Sequence, residues 1–464
     1  MIDILDYQGQ RVHMTGIGGS SMSGLAEMLL KEGYTVTGSD NANSHAVERL
    51  RKMGIPVQVG HDERNVQGAK LLVFSAAISP ENPERQEARR LGIPEMERST
   101  LLGQLMRGHK NAVCVCGTHG KTTTSSMIAE TLLECGMEPT VHIGGRLDAL
   151  GGGSRVGKKD VFVAEACEFH GSFLEMHPTI AVVLNIDEDH LDWYKDIDHI
   201  EAAFGQFLSL LPPHGTALGW GEDFRVRRQL EKLTCDTRTF GLEKNNDYYP
   251  ENLVYSDLGC PSYDVMFRGE KLARVTLKVA GSFNVINSLA AFAASHVAGA
   301  DPRAAAESLG RFAGAHRRFE LTGIIDGVKM YHDYGHNPAE MRSALSVGRM
   351  QHPNRLWAVM QPHTYSRVKS LFQDYLTCTQ EADFTLVTDI YAAREKDPGD
   401  IKAEMVVEGM RAHGVNAVHT PTFDDTEAYL RSHWQPGDLV LTMGCGNINL
   451  LNEQMQTHGD TQRE

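Results

Sequence analysis

The chain has 464 residues, 41% of them apolar, with 60 acidic against 45 basic side chains and a formal net charge of −15. At about 150 residues per domain this length points to about three domains, and the composition is that of a globular protein, which excludes disorder, collagen and coiled coil as overall descriptions. The acidic balance argues against a nucleic-acid or anionic-lipid binder, but not against a small polyanion held by local backbone dipoles.

The first residues, MIDILDYQ, carry two aspartates and no basic run, so no signal peptide is expected. No apolar run reaches the roughly 18 residues of a membrane span. The eight cysteines contain no C-x-x-C pair and read as small hydrophobes in a reducing compartment, so the protein is expected in the cytoplasm. RVHMTG (11–16) reads as a strand that runs into Gly18, Gly19 and a helix, and YTVTGSD (34–40) and LLVFSAA (71–77) are further strands. NAVCVCG (111–117) leads into THGKTTT and a second helix. DVFVAEA (160–166), TIAVVLNI (179–186), KMYHDY (329–334), LWAVMQ (356–361), FTLVTD (384–389) and DLVLTMG (438–444) follow. Continuous apolar strands alternating with helices predict parallel sheets covered on both faces. The segment 235–280 reads as turns and short antiparallel strands. The polar stretch 107–111 reads as a linker, and a second boundary is expected near 314–327, where GAHRRFE precedes a new strand.

Four constellations carry chemistry. Gly117-Thr118-His119-Gly120-Lys121-Thr122-Thr123, between a strand and a helix, is built to cradle phosphates on backbone N–H groups, with Lys121 on the β/γ-phosphates and the Thr122 hydroxyl on Mg²⁺. It is not a strict Walker motif, because Val115 stands at the first glycine position. Glu165 and Glu168, and the run Asp187-Glu188-Asp189-His190, follow strand ends, where ligands gather in α/β sheets; a carboxylate or imidazole there suits Mg²⁺, and a solvated turn accounts for most of the acidic run. Gly16-x-Gly18-Gly19 with Asp40 at the next strand end resembles a dinucleotide fingerprint, with Ser21 at its third glycine position. Arg317-Arg318 and HDYGHNP (332–338) suit a phosphate clamp or, on the bland reading, a surface pair and a helix start at Asn337-Pro338. His363, Tyr365 and Arg367 follow another strand end. Cys445 reads as packing, since no base can be assigned to it.

Taken together, GIGGSSMSGLA, FSAAISPENPE, GTHGKTTT, AEACEFHGSFL, NIDEDHLD, GSFNVINSLAA, HRRFE, HDYGHNP, QPHTYSR and DLVLTMGCGNI resemble the Mur ligase family over nearly the whole chain. QPHTYSR and the N-terminal run favour its L-alanine-adding branch. The resemblance implies an α/β protein of three domains: a Rossmann-like UDP-substrate domain (1–109), a central P-loop-type ATPase with a mixed sheet (110–320) and a Rossmann-like amino-acid domain (321–464). It implies ATP and Mg²⁺ as cofactors, with UDP-N-acetylmuramic acid and L-alanine joined through an acyl phosphate. By motif, Lys121 and Thr122 hold phosphates. Thr122, Glu165 and His190 hold metal, with Glu168 the alternative to Glu165. Asn284 and Asn287 contact adenine. Arg318 and Asp333 complete the nucleotide site. His336 and Arg367 face the acceptor, and Gly18, Gly19, Ser20 and Asp40 surround the UDP-sugar. Phe283, Asn337 and GCGN depart from the family pattern, and Gly205 occupies the neighbourhood where some relatives carry a modified lysine. The alternatives are a sister ligase that adds a peptide to the same sugar nucleotide, and a nicotinamide-dependent oxidoreductase, which leaves GTHGKT unexplained.

Overall fold

The computed structural model describes residues 2–189, 193–393, 395–458 and 461–462. Among them the strands form three sheets. The first contains β1 (Arg11–Thr15), β2 (Thr35–Asp40), β3 (Val57–Val59), β4 (Leu71–Phe74) and β5 (Glu95–Glu97), all parallel in the order β3-β2-β1-β4-β5. The second contains β6 (Asn111–Cys116), β7 (Thr140–Leu147), β8 (Gly152–Arg155), β9 (Val161–Glu165), β10 (Ile180–Val183), β11 (Thr216–Trp220), β12 (Asp236–Phe240), β13 (Tyr248–Tyr255), β14 (Pro261–Phe267) and β15 (Glu270–Thr276). Its order is β15-β14-β13-β12-β11-β10-β6-β9-β7-β8. The third contains β16 (Glu320–Ile325), β17 (Val328–Asp333), β18 (Leu356–Met360), β19 (Phe384–Val387), β20 (Ala417–His419), β21 (Leu439–Met443) and β22 (Thr461–Gln462), ordered β20-β19-β18-β21-β17-β16-β22.

The expected strands are present but stop two or three residues early at several carboxyl ends, because the chain leaves the sheet there to form the loops of the site. β12 and β13 correct the expectation for 235–280: they extend the parallel part of the second sheet, with Phe240 opposite Tyr248.

The chain divides into two compact units, Met1–Leu253 with Tyr263–Thr276 and Val285–Phe312, and Val254–Ser262 with Leu277–Asn284 and Ala313–Glu464. The polar stretch 107–111, read as a linker, therefore lies inside the first unit. The reason is a shared core: Val12 and Leu71 of the first sheet and Leu101 of the helix Arg98–Met106 are continuous with Ala112 and Phe162 of the second sheet and Phe173 of the turn after β9. Helix Ser20–Lys31 seats against β7 and β8 at Gly24, where a Cβ would meet Ser154 Oγ at 2.5 Å.

Under the first sheet lies a buried polar knot. Alternation along β1 turns His13 and Thr15 to one face, where Glu84 of helix Pro83–Leu91 waits. Thr15 Oγ1 and Ser39 Oγ donate to Glu84 Oε2 at 2.6 and 2.7 Å, and Asn65 Nδ2 donates to Oε1 at 2.7 Å. Burial pushes the carboxyl pKa up, but His13 and these donors outweigh it and hold it at about 2. Its folded value lies below the ordinary 4.5, so this stabilisation is complete above that pH and is lost as the pH falls toward 2. Glu84→Ala is expected to cost about 3 kcal/mol in urea unfolding by orphaning three donors, and to flatten the acid limb of the stability profile.

Candidate active site

In the first unit, pairing sets the site. β6 lies between β9 and β10, with Val115 opposite Glu165 and Cys116 opposite Val183. The phosphate loop, Glu165 and the segment after β10 therefore open on one edge. Gly120 caps helix Lys121–Glu134 at φ 84°, and a Cβ there would lie 2.6 Å from Asn287 Oδ1, so the turn needs glycine. No side chain caps that helix, leaving its positive end to the loop. Asn185, which the sequence reading passed over as the end of a strand, anchors the loop: His119 N–H donates to its Oδ1 (2.7 Å) and its Nδ2 donates to His119 O (3.1 Å). Asp187 N–H donates to Thr118 Oγ1 (2.8 Å). Thr123 sits half-buried in the first helical turn. A cavity of about 300 Å³ lies beside His119, lined by Asn185, Asp187, Trp220, Phe224 and Arg225.

Lys121 Nζ donates to Gly117 O (2.6 Å), Thr118 O (3.1 Å) and Glu168 Oε1 (2.9 Å). Burial disfavours the ammonium, yet the Glu168 charge prevails and its pKa is raised. Glu165 takes the other partner: Thr122 Oγ1 and Gly144 N–H both donate to its Oε2 at 2.9 Å. The two glutamates thus divide, one to Lys121 and one to Thr122. A hydroxyl and a carboxylate side by side are hard oxygen donors of the kind Mg²⁺ takes. His190 lies outside the described residues. Among those described, no three His, Cys, Asp or Glu side chains gather as a metal cage. At the first sheet, Gly18 N–H donates to Asp40 Oδ2 (2.9 Å), so Asp40 braces the glycine loop, while Gly19 and Ser20 are exposed at the start of helix Ser20–Lys31.

In the second unit, Met443 of β21 pairs with Asp333 of β17 and Met360 of β18, which brings the loops after all three strands to one edge. Asp333 accepts from Phe319 N–H (2.8 Å) and Gly335 N–H (2.6 Å); burial raises its pKa against the Arg318 charge. The adjacent arginines both lie over the Tyr334 ring, Arg317 at 4.9 Å. Arg317 is framework: Nε donates to His332 Nε2 (3.0 Å) and Nη2 to Gly446 O (3.1 Å). His332 accepts there, so its proton is on Nδ1 and goes to Thr442 Oγ1 (2.9 Å); burial holds its pKa near 3. Arg318 lies over the Tyr334 ring at 5.0 Å. Arg367 Nη1 donates to His363 Nδ1 (3.1 Å), a ring that burial and the Arg367 charge keep neutral with a pKa of about 4. His336 lies edge-on to His363 at 6.0 Å, with Nδ1 3.3 Å from Glu340 Oε2.

Some expected residues also make scaffold contacts. Asn284 Nδ2 donates to Ala280 O (2.7 Å), and Asn287 Oδ1 accepts from Thr124 Oγ1 (3.3 Å). Asn337 caps helix Pro338–Met350, accepting Glu340 N–H at 3.0 Å, which explains that departure as a helix start. Burial raises the Cys445 thiol to about 12, in keeping with packing.

A glycine-lysine loop between strand and helix on one mixed sheet and a cationic, histidine-rich edge on another are features of a nucleotide-dependent α/β ligase. The domain descriptions that match are "Mur ligase family, catalytic domain" over residues 11–110, "Mur ligase middle domain" over 115–295 and "Mur ligase, glutamate ligase domain" over 317–446. The chain is 43% identical over 454 residues to a UDP-N-acetylmuramate–L-alanine ligase of Acetivibrio thermocellus, covering 97% of each. It is 43% identical over 445 residues to one of Caldanaerobacter subterraneus subsp. tengcongensis, covering 96% of this chain and 97% of that one. Among solved structures, the UDP-N-acetylmuramate-alanine ligase of Thermotoga maritima superimposes with a TM-score of 0.81 at 26% identity, covering 97% of this chain and 99% of that one. The chain belongs to the Mur ligase family.

Lys121→Ala is expected to lower ATP turnover by about 10² or more, because a phosphate-neutralising charge is lost; activity within a few-fold of wild type would contradict the assignment. Asn337→Ala is expected to cost about 1 kcal/mol in thermal unfolding through the lost cap.

Proposed function

We propose that this protein is an ATP-dependent ligase that joins L-alanine to the carboxylate of UDP-N-acetylmuramic acid in peptidoglycan precursor synthesis. The observation that carries this reading is the 43% identity, over 97% of the chain, to an enzyme named for that reaction.

The chemistry fits the residues. A carboxylate is a poor electrophile toward an amine, and phosphorylation by ATP gives it a leaving group. Lys121 and the N–H groups of Gly117–Thr123 hold the phosphates and neutralise their charge. Thr122, Glu165 and, by its motif, His190 would hold Mg²⁺, which when bound neutralises charge on the β- and γ-oxygens. By their motifs, Gly18, Gly19, Ser20 and Asp40 are assigned to the UDP-sugar, Asn284 and Asn287 to adenine, and Arg318 and Asp333 to nucleotide binding. Arg367 supports the tetrahedral oxyanion as the amine of L-alanine attacks, His336 takes the amine proton, and the intermediate collapses to the amide as its C–O bond to phosphate breaks and inorganic phosphate leaves. The working parts divide as 1–109 for the sugar nucleotide, 110–320 for ATP and 321–464 for the amino acid. ATP and a UDP-sugar are charged, membrane-impermeant substrates, which favours the cytoplasm. No described helix is long and apolar enough to cross a membrane.

Phosphate release should require UDP-N-acetylmuramic acid and L-alanine together. Turnover with a tripeptide while L-alanine, glycine and serine all fail would identify the sister reaction instead, and tight NAD binding without ATP turnover would identify an oxidoreductase.

A further inference from the structure

The carboxyl edge of the first sheet holds a cation that nothing above has used. Arg98 opens helix Arg98–Met106 directly after β5. Most other arginines beside this sheet are neutralised or fully bonded: Arg85 and Arg89 sit on Glu95, Arg90 on Glu87, Arg107 on Asp3, and Arg51 is held by Val57 O and Asn43 Oδ1. Arg98 is half-buried, has no carboxylate within ion-pair distance among the described residues, and its guanidinium makes one hydrogen bond, Nη1 to Ser21 Oγ at 3.0 Å. Burial lowers its pKa. The neighbouring Glu97 charge offsets this only in part, and a desolvated cation with no carboxylate in ion-pair contact is costly unless an anion completes the site.

Ser21 has a second neighbour across the seam between the sheets. His142 Nε2 of β7 lies 2.7 Å from Ser21 Oγ. The other ring nitrogen, Nδ1, is buried without a partner and faces Gly24, where a Cβ would lie 3.4 Å from it. A buried N–H pressed on that glycine would be an orphaned donor, which proteins avoid more strictly than a bare acceptor. The proton therefore belongs on Nε2 and is donated to Ser21. With both lone pairs of Ser21 Oγ occupied, by Arg98 and by His142, its own O–H is directed away from both and is left to donate to a third group. It lies in the first turn of helix Ser20–Lys31, whose cap residue Gly19 has no capping side chain and whose first turn has no acid. The position is the β1–β4 switch point of a parallel sheet, where ligands bind.

We propose that Ser21, oriented by Arg98 and His142, donates to the diphosphate of the sugar nucleotide, and that Arg98 supplies the counter-charge. This rests on the function proposed above. Ser21→Ala and Arg98→Gln in the full chain are expected to weaken binding of UDP, measured by calorimetry, about tenfold or more, while binding of uridine stays within twofold. The KM for UDP-N-acetylmuramic acid should rise in step while that for ATP does not, and Ser21→Thr should restore most of the affinity. Unchanged UDP affinity in folded Ser21→Ala and Arg98→Gln, or equal losses for UDP and uridine, would overturn the proposal even if L-alanine turnover is normal. A wild type that never turns over L-alanine, with the UDP losses still present, would instead sink the functional reading alone.

Discussion

The placement of β6 between β9 and β10 is the constraint on which the first unit's chemistry depends. Parallel pairing leaves no freedom in where successive loops emerge: once Val115 faces Glu165 and Cys116 faces Val183, the lysine loop, the acidic strand end and the segment from Asn185 onward must share an edge. The same logic recurs at Met443, which forces three further loops together in the second unit. The core of each sheet thus does more than hold the fold. It sets the register, and the register determines which polar side chains meet.

A second regularity concerns how cations are held. Away from the sheet edges several arginines pair with carboxylates, as Arg355 does with Asp438. At the sheet edges the orienting partner is often neutral: His332 for Arg317, His363 for Arg367, Ser21 for Arg98. A neutral acceptor aims a guanidinium without cancelling its field, which suits a site that must receive anions. Lys121 follows the other rule, since Glu168 neutralises it in part, and phosphate oxygens would have to compete with that carboxylate for its donors. A chain of net charge −15 can accordingly recognise polyanions through a few positions whose charge is preserved locally.

Much of this was legible in the residues. The apolar runs announced the interior parallel strands, and the glycine and threonine pattern at 117–123 announced the turn between strand and helix, because both follow from local spacing. Short edge strands such as Val57–Val59 and Glu95–Glu97 were missed: three residues carry too little pattern. Glu165 and Glu168 could not be assigned separate partners, since only the fold shows that one meets Thr122 and the other Lys121. Arg317 and Arg318 are indistinguishable in sequence, and His332 looks like any strand residue until the strand beside it supplies Thr442. Ser21, read as the residue that spoils a fingerprint, acquires its meaning from Arg98 and His142, 77 and 121 positions away.

The second unit does not begin cleanly at Ala313. It is completed by Val254–Ser262 and Leu277–Asn284, whose residues reach helix Pro338–Met350 and its end: a Cβ at Gly259 would touch Met350 Sδ at 2.6 Å, and Gln351 Nε2 donates to Leu258 O at 3.2 Å. The polypeptide therefore passes between the units five times. Cutting the gene at the last passage would yield a carboxyl-terminal fragment stripped of two pieces of its own surface. For this chain, the modules that a sequence profile separates are not the modules that could be exchanged, transplanted or expressed one by one.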